Sequence, residues 1–241
     1  MAHHQHHEHH AAHGHHGHGE LKAGHNFAQA NREYFDNLGE KFDQIPEAIS
    51  LAQKSTSAMM DTYTFKEGET VAMDFACGTG LISKHLVPHV KTIVGVDISQ
   101  GMVDQYNLRV QRESIPAEKM RAVRAELEGK AGELDDMKFD VIVCSAAYHH
   151  FESIARVTQT LAFFLKPGGS LLVVDLEEMD PSMFNDEQRQ LVAHAHGLSE
   201  AEIRKTFEGA GLESVTYGRA FTNSWKDVPL NAFIAQGIKP L

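Results

Sequence analysis

The sequence predicts an α/β fold: a doubly wound, mostly parallel sheet with helices on both faces. Strand-like and helix-like stretches alternate strictly from Thr70 to Asp175, the pattern of parallel strands joined by right-handed crossovers. Two of the strands, Phe139–Cys144 and Ser170–Asp175, are apolar runs of the kind buried on both faces of a parallel sheet. The first strand empties into Gly78-Thr-Gly80, a tight turn that glycine makes without steric cost.

The bulk properties narrow the function classes. The 241 residues give room for one domain of about 200 residues and a tail. A net charge of −11 argues against a nucleic-acid surface, which needs clustered Lys and Arg. Cys77 and Cys144 have no C-x-x-C spacing and imply a reducing compartment without a disulfide framework. No run approaches the roughly 18 apolar residues of a membrane span, and no signal-peptide core is evident. The expected location is the cytosol, the nucleus, or both, with the cytosol as the first choice.

Residues 1–25 read as a disordered tail. Eleven of the seventeen histidines lie between His3 and His25, with no apolar periodicity to repay ordering. Clustered imidazoles such as His3, His4, His6, His7, His9 and His10 offer weak Zn, Ni or Cu binding; a purification tag or neutral low-complexity tail is the plainer alternative. No metal is expected in the core.

Residues 26–64 form a helical cap. Phe27, Tyr34, Phe35, Leu38 and Phe42 make one apolar stripe, and Ala48, Ile49, Ala52, Met59 and Met60 a second. Pro46 begins or interrupts one helix. Helices placed before the first strand have few places to go except over the carboxyl edge of the sheet, where ligands bind. Tyr34 and Phe42 are therefore lid candidates as well as core aromatics, and Tyr34 is carried as a catalytic candidate.

The Rossmann-like core occupies residues 70–241. The first strand, Thr70–Phe75, carries Asp74 and leads through the glycine turn to a helix over Gly80–Leu86. Ser83 stands where a pyrophosphate loop has its third glycine, so the loop suits an ammonium and sulfonium ligand better than a diphosphate. The second strand, Thr92–Val96, stops at Asp97, 23 residues beyond Asp74. A carboxylate there is placed to grip a ribose diol, and Ser99 caps the next helix, which carries Met102. A third strand spans Met120–Glu126, with Glu126 either near the ligand base or an ordinary surface acid.

The fourth strand empties into Ser145-Ala-Ala-Tyr-His-His-Phe151, where open α/β sheets put their chemistry. A helix over Glu152–Leu165 stops at Lys166-Pro-Gly-Gly169. Leu176–Leu198, with His194 and His196, breaks the alternation and reads as a lid or binding segment. Ser199-Glu-Ala-Glu202 reads as a capping box for a helix to Ala210. Strands around Leu212–Phe221 and Leu230–Gln236 lack an intervening helix and form an antiparallel hairpin at one edge.

Taken together, Asp74-Phe-Ala-Cys-Gly-Thr-Gly80, Gly95-Val-Asp97 with Ser99-Gln-Gly-Met102, Phe139-Asp-Val-Ile-Val143 and Leu165-Lys-Pro-Gly-Gly169 resemble the class I S-adenosylmethionine-dependent methyltransferases. The overall look is closest to the UbiE-like small-molecule branch and its fungal-type members. The resemblance covers about Asn26 to Leu241 and implies a seven-stranded sheet of order 3-2-1-4-5-7-6 with strand 7 antiparallel. It implies S-adenosyl-L-methionine as cofactor, with Asp74, Ala76, Cys77, Gly78 and Gly80 around its methionine part. Asp97 would then bind the ribose hydroxyls, with Ile98 beside it. Met102 would pack on adenine, Glu126 would lie near its amino group, and Ser145 and Ala146 would line the methionine side. Family members often carry Asp where this chain has Glu126.

Methyl transfer is an in-line displacement that needs alignment more than a base. For a hydroxyl or thiol acceptor, His149 or His150 is positioned to take the proton; for a carbon or amine acceptor the rings shape the pocket or order the loop. Two functions stand: a methyltransferase of small molecules, and a cofactor-binding regulatory subunit with weak or protein-directed activity that works through a protein partner. A nicotinamide oxidoreductase fails on Ser83 and on the terminal hairpin. Neither membrane nor nucleic acid is expected as partner, and no motif sets the oligomeric state.

Overall fold

A computed structural model describes residues 25–225 and 228–241; the His-rich stretch of residues 1–24, with its candidate metal ligands, lies outside them. Helix α1 (Phe27–Leu38) starts where the Asn26 side chain accepts a hydrogen bond from the Gln29 amide, the usual service of an N-cap. A 3-10 turn over Gly39–Gln44 follows. Pro46 then opens α2 (Pro46–Thr62) at its first position, where a missing N–H costs nothing. It begins a helix and interrupts none.

The core continues as β1 (Val71–Phe75), α3 (Leu81–Leu86), β2 (Thr92–Asp97), α4 (Gln100–Arg112), β3 (Met120–Arg124), β4 (Phe139–Ser145), α5 (Ile154–Phe164), β5 (Leu165–Leu176), α6 (Asp186–Arg189), α7 (Glu200–Gly209), β6 (Glu213–Trp225) and β7 (Val228–Ile238). The sheet order is β3-β2-β1-β4-β5-β7-β6. The first five strands are parallel, and β7 runs antiparallel to both β5 and β6, as expected.

Successive side chains of a strand face opposite sides, and here both sides are covered. Ile142 and Cys144 pack with Ile154, Leu161, Ile203 and Phe207 of α5 and α7. Val141 and Val143 pack with Ala52, Met59, Val103 and Tyr106 of α2 and α4. That double cover is why β4 is a continuous apolar run. It also makes α2 part of the core, so only α1 and the turn after it serve as a cap.

Several boundaries differ from the sequence-based expectation. Strand β3 ends at Arg124, which leaves Glu126 beyond it in the loop. Helix α5 starts one cap later, where the Ser153 side chain accepts from the Arg156 amide. Lys166–Gly169 stop α5 but lie within β5: the pairing with β4 jumps from Phe139↔Leu165 to Val141↔Ser170, so the segment bulges, with Gly168 at φ 74°. The hairpin is longer than expected, and β7 reaches past β5, whose pairing stops at Ala232. Pro229 falls in that overhang, where only β6 pairs with it, the kind of place a strand proline is tolerated.

The capping box is also displaced. The Ser199 side chain accepts from the Glu202 amide, while the Glu202 carboxylate leans toward His194 at 3.8 Å. A complete box forms instead between Asn185 and Gln188, in the segment expected to be irregular. No helix among the described residues is long and apolar enough to cross a membrane.

Candidate active site

The glycine turn and the end of β2 are built as one unit. Ala76, Gly78 and Gly80 all have positive φ, at 55°, 51° and 84°. The Cys77 amide donates to the Val96 carbonyl at 3.2 Å, tying the turn to β2. Asp97 completes the clip: one carboxylate oxygen accepts from the Gly78 amide at 2.8 Å and the other from the Ser99 amide at 2.9 Å. Burial pushes the Asp97 carboxyl upward, these backbone bonds oppose that, and Asp36 adds to it. Its oxygens keep further lone pairs for a diol.

The two glycines differ in what holds them. A Cβ on Gly80 would stand 2.6 Å from the Tyr106 ring, whereas a Cβ on Gly78 would meet no protein atom within 4 Å. Gly80 is therefore needed for packing, and Gly78 leaves an open cradle over the turn. Asp74 lies beneath, 2% exposed, and accepts from the Ser83 hydroxyl at 2.7 Å. Its carboxyl is pushed up to about 7, mainly by burial, against the pull of Ser83. Ser83, read from the sequence as an absent third glycine, is thus the partner of Asp74.

Along the same edge, Met102 is buried at the start of α4, and the Ile98 carbonyl accepts from Arg124 at 3.2 Å. Arg32, Ile98, Arg124, Ala125 and Glu126 line an opening of about 170 Å3. Glu126 is exposed and pairs with Arg32 of α1 at 2.9 Å. Ile98 and Glu126 therefore border one opening, beyond the end of β2 where Asp97 holds the Gly78 turn.

The cap is fastened to these loops through residues the sequence did not single out. One oxygen of Asp36 accepts from the Ser99 hydroxyl at 2.6 Å and the Gly101 amide at 3.0 Å. Burial acts to raise that carboxyl, and these bonds bring it below the usual carboxylate range. Asp43, in the turn after α1, accepts from the Thr79 hydroxyl and pairs with Arg109, each at 2.5 Å. Arg109 in turn donates to the Thr79 carbonyl. The Ser145 hydroxyl donates to that of Ser55 on α2 at 2.9 Å.

On the other flank, His149 and His150 leave β4 with their ring centres 4.1 Å apart. His149 Nδ1 lies 2.7 Å from the buried Asp175 carboxylate at the end of β5, and its amide donates to the same group at 3.2 Å. Burial alone would raise Asp175; His149 and the bonds it receives bring it below the carboxylate range. His150 Nδ1 is 2.8 Å from the Leu191 carbonyl, and Phe35 of α1 meets its ring edge-on at 5.8 Å. Its imidazole is driven down to about 3, first by burial and then by His149. Tyr34 packs with Met179, Leu191 and Val192 in a small cluster under the cap, one residue from Phe35. His194 donates its amide to the His149 carbonyl and faces the Phe151 carbonyl, so Leu176–Leu198 supports the histidine turn, and His196 is exposed.

Among the described candidates, Asp74, Ala76, Cys77, Gly78, Gly80, Asp97, Ile98 and Ser145 stand at or just past the carboxyl ends of β1, β2 and β4, and His149 and His150 follow β4, whereas Tyr34 lies on α1. Asp175 was visible in the sequence as a carboxylate ending an apolar strand, the same signal that marked Asp97. Asp36, Asp43 and Arg109 carried no such signal, since acids and bases on amphipathic helices are usually solvated.

Comparison with known proteins points one way. Residues 73–173 match a family model described as a methyltransferase domain. An uncharacterised methyltransferase of Schizosaccharomyces pombe is 38% identical, over 78% of this chain and 68% of its own length. A demethylmenaquinone methyltransferase of Bacteroides fragilis is 27% identical over 61% of this chain, which spans 60% of that relative. A ubiquinone biosynthesis O-methyltransferase of Coxiella burnetii is 28% identical over 41% of this chain and 40% of its own length. Among solved structures, magnesium protoporphyrin IX methyltransferase of Synechocystis with bound SAH shares the fold, with a TM-score of 0.65 at 17% identity over 88% of this chain and 99% of that one.

Proposed function

Because the chain belongs to the class I methyltransferase family, we propose that it transfers a methyl group from S-adenosylmethionine to a small-molecule acceptor. The observation that carries this reading is the clip of Asp97 to Gly78 and Ser99 beside an open cradle. It lies at the carboxyl ends of β1 and β2, next to the β1–β4 junction where the strand order reverses and where doubly wound sheets bind ligands.

In this reading Asp97 receives the ribose hydroxyls, Met102 and Ile98 flank the base, and Glu126 borders it together with Arg32. The backbone at Ala76, Cys77, Gly78 and Gly80 surrounds the methionine part, with Ser145 opposite. Asp74, bonded to Ser83, supports the loop from beneath. The sulfonium supplies an activated methyl carbon. The protein's part is alignment and exclusion of water, which can lower a barrier by roughly 7–11 kcal/mol.

The small-molecule class is carried over from the quinone-pathway relatives. Methyl-labelled cofactor incubated with the protein and fractionated source-cell extract tests it: label is expected in low-molecular-weight fractions. Label confined to protein would favour the regulatory reading instead.

A further inference from the structure

We propose that the groove between the C-terminal ends of α5 and α7 is a second binding site, and that it takes a small organic anion with an apolar body and one carboxylate or sulfonate group. Helix α5 ends and β5 begins there, so the groove lies at the amino edge of the parallel strands, away from Gly78 and Asp97 at the carboxyl edge. It stands apart from the methyltransferase reading and uses none of the cofactor residues.

The groove is built from residues with little bulk. Gln159, Ala162 and Phe163 of α5 line it, and their spacing sets them side by side on one helix face. Gly209, Ala210 and Gly211 line it from the end of α7. That helix stops where Gly211 takes φ 77°, with its amide donating to the Glu208 carbonyl and the Leu212 amide to the Phe207 carbonyl, a glycine ending that leaves no side chain at the turn. Among the described residues, a Cβ on Gly209 or Gly211 would meet nothing within 4 Å. The opening holds about 420 Å3, within the roughly 300–1,000 Å3 of small-molecule sites.

Lys239 and Pro240 complete the lining, and the bulge at the start of β5 puts them there. A Cβ on Gly169 would stand 2.9 Å from the Lys166 and Phe139 carbonyl oxygens, so the bulge requires glycine. The Gly168 amide donates to the Lys239 carbonyl and the Lys239 amide to the Gly169 carbonyl, each at 2.9 Å. Held in this way, Lys239 reaches the last turn of α5, where Nζ donates to the Ala162 carbonyl at 2.8 Å and the Leu165 carbonyl at 2.9 Å. Lys138 reaches the same turn from the residue before β4: its Nζ donates to the Phe163 carbonyl at 2.9 Å and lies 3.5 Å from the Phe163 ring centre.

The charges at this turn do not balance. A helix C-terminus offers about half an elementary negative charge, against two ammonium groups. Among the described residues no carboxylate pairs with Lys138 or Lys239, and Asp140 is taken by Lys166. Burial, and then the Lys138 charge, pull the Lys239 ammonium below its usual range. An anion is the missing counter-charge. The Lys239 ammonium has three N–H groups and spends two on carbonyls, so one remains for the anion, while Ala162, Phe163, Ala210 and Pro240 offer apolar surface to its body. The chain as a whole carries −11, so the preference for an anion is local to this groove.

The test uses the full chain saturated with S-adenosylhomocysteine, which keeps the cofactor space filled. The probe is 8-anilinonaphthalene-1-sulfonate, with uncharged N-phenyl-1-naphthylamine as comparator. The sulfonate is expected to bind and to be displaced by dodecanoate, and the comparator to bind about tenfold more weakly. Gly209→Leu, which fills the groove at a position where a helix prefers leucine to glycine, should weaken the sulfonate by about tenfold or more. Lys239→Gln and Lys138→Gln should each weaken it several-fold, and Lys239→Arg should retain it. Melting temperature is recorded for every variant, and Gly209→Leu, which keeps both lysines, decides the matter where a lysine variant does not fold. Unchanged sulfonate affinity in Gly209→Leu, or equal affinity for the charged and uncharged probes, would overturn the proposal. So would a lower melting temperature in Lys239→Gln with unchanged sulfonate affinity, which would leave the lysine as a helix cap only. A dimer in sedimentation that Gly209→Leu dissociates would give the groove to a second copy and overturn it as well.

Discussion

Asp97 is the residue on which the cofactor assignment turns, because two loops depend on its two oxygens. Asp97→Ala should weaken S-adenosylmethionine binding by more than about 1.4 kcal/mol, a tenfold change; unchanged affinity in calorimetry would remove Asp97 from the site. Gly78→Val should abolish binding, since its side chain enters the open cradle in a backbone conformation that β-branched residues resist. Normal binding by that variant would refute the loop assignment. Asp74 makes a prediction about pH. Unfolded, its carboxyl releases a proton near 3.8, and folded only near about 7. Folding takes up a proton between those limits, so this group's stabilisation is full below the lower one and is lost as pH rises through the upper. Melting curves of Asp74→Asn, which cannot ionise, should gain on wild type between those pH values; a constant difference would exonerate Asp74. These residues were legible because each ends a strand or occupies a glycine turn, positions with few structural uses. The pairing of His149 with Asp175 was not, because it requires β4 and β5 to be neighbours in register, which Ser145↔Val174 makes so.

At the scale of elements, the sequence separated strands from helices well because both faces of the sheet are covered and its central strands, β4 and the second half of β5, are apolar runs. It did less well on the cap. Its two helical stripes looked alike, yet Ala52 and Met59 of α2 belong to the core face with Tyr106 and Val143, while α1 is held by side-chain bonds to loops. Asp36, Asp43 and Arg109 could not be separated from solvated charges without those contacts. A cap fastened by polar bonds should open more readily than one sharing a core. Asp43→Ala, which removes the bonds to Thr79 and Arg109, is expected to speed S-adenosylhomocysteine release several-fold in stopped-flow experiments, at a stability cost of about 1–3 kcal/mol. An unchanged release rate with a large loss of stability would mark α1 as structural.

For the molecule as a whole, alternation made the parallel strands legible and the helix-free C-terminal pair made the hairpin legible, while the strand order came from the family resemblance. The tail belongs to this scale as well. Deleting residues 2–24 should leave melting temperature and cofactor affinity unchanged and reduce Zn or Ni uptake; a large drop in melting temperature would give the tail a structural role. One feature has a kinetic side. Helix α1 touches two loops at the carboxyl edge: Asp36 bonds to Ser99 after β2, and Phe35 meets His150 after β4. In the proposed reaction α1 would stand over both donor and acceptor, so its opening would set an upper bound on turnover. A pre-steady-state burst of product, followed by a slower steady rate, is the expected signature.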